Sequence, residues 1–103
     1  MRTIHLARLE KTRPVVVLTR ESVRPYRNRL TVASITSTIR GSATEIPVGR
    51  DNGLDHDSVV NCDNITTIPA SDLGQQIGFL LDSQEDALVA AIHAAFDLDA
   101  FDR

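Results

Sequence analysis

Val15-Val16-Val17-Leu18, directly behind Pro14, is the segment that most limits how this chain folds. A β-branched run of this kind suits a strand buried on both faces. Proline at its first position removes no donor that the ladder needs. The chain has 103 residues, enough for one modest core, so a single domain over residues 1–103 is expected to wrap its remaining elements around that strand.

Those elements read as short strands separated by turn chemistry. Ile4 to Leu9 alternates, Leu30 to Thr36 places Leu30, Val32, Ser34 and Thr36 on one face, and Thr44 to Val48 forms a short strand. Glu21 to Arg29, around Pro25, reads as a loop, and Arg50-Asp51-Asn52-Gly53 as a turn. Ser58 to Asp63, Ile65 to Ile68 and the apolar patch Ile77-Gly78-Phe79-Leu80 complete the strand-like segments. Only the end is helical: Ser83 reads as the N-cap, Glu85 and Asp86 suit the first turn, and Leu88, Ile92, Ala95 and Phe96 share a face. The segment after Asp97 is expected to fray. The expected class is therefore mainly β with helices (α+β), a small barrel whose terminal helix covers an open end or a sheet edge.

Net charge is −3, but it is divided unevenly. Residues 1–50 carry ten Arg and Lys against three acids, and residues 51–103 carry Arg103 alone against eleven acids. Two readings follow: a basic face for a polyanion, or an acidic half that neutralises the basic one within the fold. No apolar run reaches the ~20 residues of a membrane span and the first residues offer no signal-peptide core, so a cytoplasmic protein is expected. Cys62 is the one cysteine, which excludes an intramolecular disulfide and a CxxC pair, and reads as a small strand residue.

The chain carries no GxSxG, P-loop or GxGxxG motif. His5, His56 and His93 have no paired spacing, so no metal site and no cofactor are expected. His56, between Asp55 and Asp57, reads as a loop residue among charges, and His93 as a residue of the helix surface. Two features remain. In Thr12-Arg13-Pro14 the proline holds Arg13 extended at the mouth of a strand, where a preset guanidinium loses less entropy on meeting a phosphate. In Ser34-Ile35-Thr36-Ser37-Thr38-Ile39-Arg40 several hydroxyls and a cation fall within a few residues, a set suited to phosphate oxygens. Both are also ordinary features of β-proteins.

In their order, Thr12 to Leu18, Val32 to Ser37, Gly53-Leu54 with Asp57 to Val60, Asp63 to Ile68, and Leu73 with Ile77 to Leu80 resemble the MazF/PemK family of toxin endoribonucleases. The resemblance implies a strongly curved, SH3-like β-barrel of the MazF/Kid/CcdB type with a C-terminal helix, assembled as a homodimer with a basic groove. It implies sequence-specific, metal-independent cleavage of single-stranded RNA, which stops translation and growth until a cognate MazE-like antitoxin binds; DNA is met only through the antitoxin complex.

Carried over residue by residue, the family's catalytic arginine falls on Arg13 and its catalytic threonine on Thr36. Lys11, Ser37 and Arg40 fall near the phosphate track, and Asp63 and Asn64 where family members read base edges. Neither Arg13 nor Thr36 is a general base at neutral pH. Glu10 is the first candidate for that role, His5 the second, and positioning without a strong base the third. The connection before Arg13 is shorter than in many members, only Glu10-Lys11-Thr12, and Tyr26, Phe79, Phe96 and Phe101 are the only aromatics, so hydrogen bonds rather than stacking are expected to carry specificity. The competing functions are a non-catalytic toxin on the same fold that traps DNA gyrase, and a structural or transcription-regulating partner of an antitoxin.

Overall fold

The computed structural model describes residues 1–98. Phe101 and the expected fraying beyond residue 98 lie outside the described residues. Six strands, β1 (Thr3–Arg8), β2 (Thr12–Val17), β3 (Arg29–Thr36), β4 (Glu45–Val48), β5 (Ser58–Pro69) and β6 (Leu73–Phe79), precede helix α1 (Glu85–Phe96). They form one antiparallel sheet in the order β4-β5-β3-β2-β1-β6. No helix among the described residues is long and apolar enough to cross a membrane.

Strand β2 lies inside this sheet, between β1 and β3, and Val15, Val16 and Val17 are all fully buried. Alternation sends them to opposite faces. Val16 joins the main core with Ile4, Ile35, Ile46, Val60, Leu80 and Leu88, whereas Val15 and Val17 join a smaller cluster with Ala7, Val32 and Ile68.

The sheet edges β4 and β6 approach each other through the loop after β4. The Asn52 side chain, buried at 2 % exposure, donates through Nδ2 to the Phe79 carbonyl (3.1 Å) and to Gln84 Oε1 (2.7 Å), and its Oδ1 accepts the Gly49 N–H (3.1 Å). Backbone meets backbone here. A Cβ on Gly53 would overlap the Ile77 carbonyl and one on Gly78 the Asn52 carbonyl, and Gly53 also sits at φ +88°, where side chains are strained.

Several boundaries differ from the sequence reading. Ser58–Asp63 and Ile65–Ile68 are not two strands but one twelve-residue β5. Opposite β3, Ala33 pairs with Ile65 while the next residue, Ser34, pairs with Asn61. Residues 62–64 therefore have no partner on β3 and form a bulge, and Asn64, the residue left between the two expected segments, lies in it. Strand β1 alternates in unbroken register with β2, and Ile4 and Ala7 are both buried because each face has its own cluster, Ile4 joining that of Val16 and Ala7 that of Val15 and Val17. Strand β6 begins at Leu73, ahead of its apolar patch. Ser83 is not the N-cap of α1: Asp82–Gln84 form a 3-10 turn, closed by the Leu81 N–H donating to Gln84 Oε1 (2.9 Å), and Gln84 holds the N-cap position of α1 with no side-chain bond into the helix. Leu88 and Ala91 bury α1 against β4 and β5, but Phe96 is 56 % exposed and stands off the core.

Candidate active site

The β2–β3 ladder ends at Val15↔Ser34. Continuing that register by two residues sets Arg13 across from Thr36 on the face that carries Val15, Val17, Val32 and Ser34. Pro14, between Arg13 and the last pair, has no N–H to offer β3, so the strands part where the two side chains emerge. One face of the sheet is thus apolar along its length and polar at its mouth.

Two adjoining clefts open at this mouth. One, of about 580 Å³, is lined by Lys11, Arg13, Thr36 and Ser37 and by Asp55, His56 and Ser58. The other, of about 360 Å³, is lined by Arg13, Thr36 and Arg40, with Asp63 and Asn64 from the β5 bulge. Arg13, Thr36 and Thr38 border both, forming the wall between them. All seven residues expected at the site other than the base lie along this double groove. Glu10 is exposed in the β1–β2 turn and lines neither cleft. His5 is occupied elsewhere, its Nδ1 2.9 Å from the Gly74 carbonyl and its Nε2 2.9 Å from Thr3 Oγ1.

Local hydrogen bonds fix how these groups face the groove. Thr36 Oγ1 accepts the Thr38 N–H (3.1 Å), which leaves its own proton free to donate outward. Asn64 Nδ2 donates to the buried Ser34 Oγ (3.2 Å), anchoring the bulge under the groove floor, and Thr44 Oγ1 donates to Asp63 Oδ2 (2.7 Å). Arg13 is half-buried and forms no ion pair among the described residues. Such a guanidinium keeps its five donors available to a phosphate.

Two residues of the groove were not singled out from sequence. Glu45 accepts the backbone N–H groups of Arg40, Gly41 and Ser42 at 2.8 to 3.2 Å and so shapes the loop that presents Arg40. Its signal was weak, one acid in a basic half. His56 lines the larger cleft, and nothing in its neighbours Asp55 and Asp57 marked it apart from an ordinary loop residue. Beneath the bulge, burial pushes the Cys62 thiol up from its ordinary range, and the adjacent Asp63 carboxylate adds to the effect, so Cys62 stays protonated and inert.

A cation and a hydroxyl held side by side on a groove wall, with further polar side chains on either flank, suit an extended phosphodiester. Residues 4–96 match the sequence model of the PemK-like, MazF-like toxins of type II toxin-antitoxin systems, and the chain belongs to that family. It is 63% identical over 99 residues to Endoribonuclease MazF3 of Mycobacterium tuberculosis, covering 96% of both proteins, and 37% identical over 87 residues to Probable endoribonuclease MazF5 of the same organism, covering 82% of this chain and 79% of the relative. Its fold superposes on the solved Mycobacterium tuberculosis toxin MazF-mt6 with a TM-score of 0.94 at 62% identity, over 95% of this chain and 99% of that one. A mycobacterial endoribonuclease solved in complex with its cognate antitoxin shares the fold at 20% identity, with a TM-score of 0.84 over 94% of this chain and 93% of that one. The expected family and fold class are borne out.

Proposed function

We propose that this chain cleaves single-stranded RNA at a short sequence without a metal ion, the 2′-hydroxyl attacking its own phosphate to give 2′,3′-cyclic phosphate and 5′-hydroxyl ends. That it is an endoribonuclease toxin of a type II toxin-antitoxin system follows from its family and from its likeness to curated endoribonucleases across nearly its whole length. The observation that carries the finer reading is Arg13 and Thr36 on one wall between two polar clefts.

As the 2′-oxygen bonds to phosphorus, negative charge grows on the non-bridging oxygens. Arg13 meets it with directed, permanently charged donors, an effect worth several kcal/mol when preorganised. Thr36, with one lone pair taken by the Thr38 N–H, donates a hydrogen bond to a phosphate oxygen and holds the in-line geometry. Lys11 and Ser37 on one side and Arg40 on the other extend the phosphate track, while Asp63 and Asn64 present polar atoms to base edges that single-stranded RNA leaves exposed. Glu10, away from both clefts, has the geometry of a solvated turn residue rather than that of a base.

The protein acts in the cytoplasm as a homodimer, and an acidic, MazE-like antitoxin neutralises it; the basic half of the sequence is the charge complement of such a partner. The test is incubation of purified protein with a long unstructured RNA in EDTA, with sequencing and end-group analysis of the products. Cuts at one short motif bearing cyclic-phosphate ends are expected. An inert protein that still arrests growth would move the assignment to a protein target such as gyrase, and one that leaves growth unchanged to a regulatory partner of an antitoxin.

A further inference from the structure

The reaction leaves one proton without a carrier. When the P–O5′ bond breaks, its electron pair stays on the 5′-oxygen, and an alkoxide departs slowly unless a proton reaches it in the transition state. A guanidinium is a permanent cation, and a threonine hydroxyl is too weak an acid to give up a proton. Among the residues that line the larger cleft, only Asp55 and His56 belong to types that exchange protons readily below the range of lysine and arginine. A carboxylate is ordinarily an acceptor at neutral pH, whereas imidazole is the side chain whose ordinary range spans neutrality.

The backbone around His56 is pinned while its ring is not. Gly53 packs against the β6 backbone, Leu54 is buried, and the buried Ser58 donates through Oγ to the His56 carbonyl (3.2 Å). The imidazole itself is exposed and has no hydrogen-bond partner among the described residues. The cations Lys11 and Arg13 line the same cleft, and β3 and β6 contribute only neutral side chains there. On its own loop it is flanked by Asp55, which shares the cleft, and Asp57, which lines a different one beside Gly49. An exposed ring on a fixed loop, sharing a cleft with charge-stabilising side chains, is well placed to hand a proton to bound substrate.

We infer that His56 is the general acid of this ribonuclease, protonating the leaving 5′-oxygen within the cleft while Arg13 and Thr36 hold the phosphate. The inference rests on the ribonucleolytic reading above. In the step, the 2′-hydroxyl proton passes to solvent, the O2′–P bond forms, the P–O5′ bond breaks, and one imidazolium N–H transfers to O5′. The neutral imidazole then takes a proton from water.

The experiment first maps the wild-type cut site on a long unstructured RNA. An oligonucleotide carrying that site is then made with ordinary 5′-oxygen, or with bridging 5′-sulfur at the scissile linkage, whose thiolate leaves without a proton. Wild type, H56A, H56Q and R13A are compared in single turnover, with thermal melts to confirm folding. H56A and H56Q are expected to cut the oxygen substrate about 10²- to 10⁴-fold more slowly, yet to cut the sulfur substrate within about threefold of wild type, whereas R13A is slow on both. Folded H56A with wild-type rates on oxygen, or with equal losses on oxygen and sulfur, overturns the role. A wild-type protein that cuts no RNA overturns the ribonucleolytic reading itself, and this inference with it.

Discussion

At the scale of single residues the account turns on what each side chain has left to offer after its structural bonds are made. Thr36 accepts one N–H and retains its proton, so Thr36→Ser is expected to keep activity within about tenfold and Thr36→Val to lose about 10²-fold in kcat with little change in KM, as measured by initial rates on a defined oligonucleotide. Cys62 differs in kind, because burial and Asp63 both disfavour its thiolate. Alkylation at pH 8 is therefore expected to be more than tenfold slower in the native protein than in denaturant, by mass spectrometric time course. Arg13, Thr36 and the hydroxyl run to Arg40 were legible in sequence because proline and strand alternation fix local direction. His56 was not, because what distinguishes it is the cleft it lines, and that depends on β2 and β3 arriving beside a loop more than thirty residues away from β2 in the chain.

Among the elements, the closure between β4 and β6 is the most exposed to substitution. Gly78→Ala would drive a methyl into the Asn52 carbonyl, and neither backbone can move without breaking the β1–β6 ladder or the turn after β4. A loss of about 2 kcal/mol or more is expected, read as a fall in Tm of roughly 10 °C. Asn52→Ala leaves the Gly49 N–H and the Phe79 carbonyl without their side-chain partner and is expected to cost a similar amount, by denaturant melts. Strand identities followed from branched residues and alternation, which report burial directly. The joining of two segments into β5 did not, since a bulge and a true break give the same polar interruption at Asn64. The start of β6 was hidden likewise: Gly74-Gln75-Gln76 carry no apolar signal because an edge strand needs little burial to be paired.

For the whole molecule, the charge division bears on the proposed polyanionic substrate. Of the basic side chains in the first fifty residues, Arg2, bonded to Glu85 at 2.8 Å, is the one that pairs with an acid among the described residues. Among the described residues the acidic half therefore does not cancel the basic half by contact, and Lys11, Arg13 and Arg40 line the groove without an acidic partner. Binding to a non-cleavable RNA analogue is expected to weaken with salt, with a slope near −0.7 per phosphate neutralised, and Arg40→Ala to reduce that slope by about 0.7 in fluorescence titrations. The measurement that bears most directly on the central claim is single-turnover cleavage of an RNA carrying the mapped site, in EDTA, by wild type, Arg13→Ala and Thr36→Ala. Folded variants slowed by about 10² or more, beside a wild type that yields cyclic-phosphate ends, are the predicted result; a folded Arg13→Ala that cuts at the wild-type rate would contradict the account.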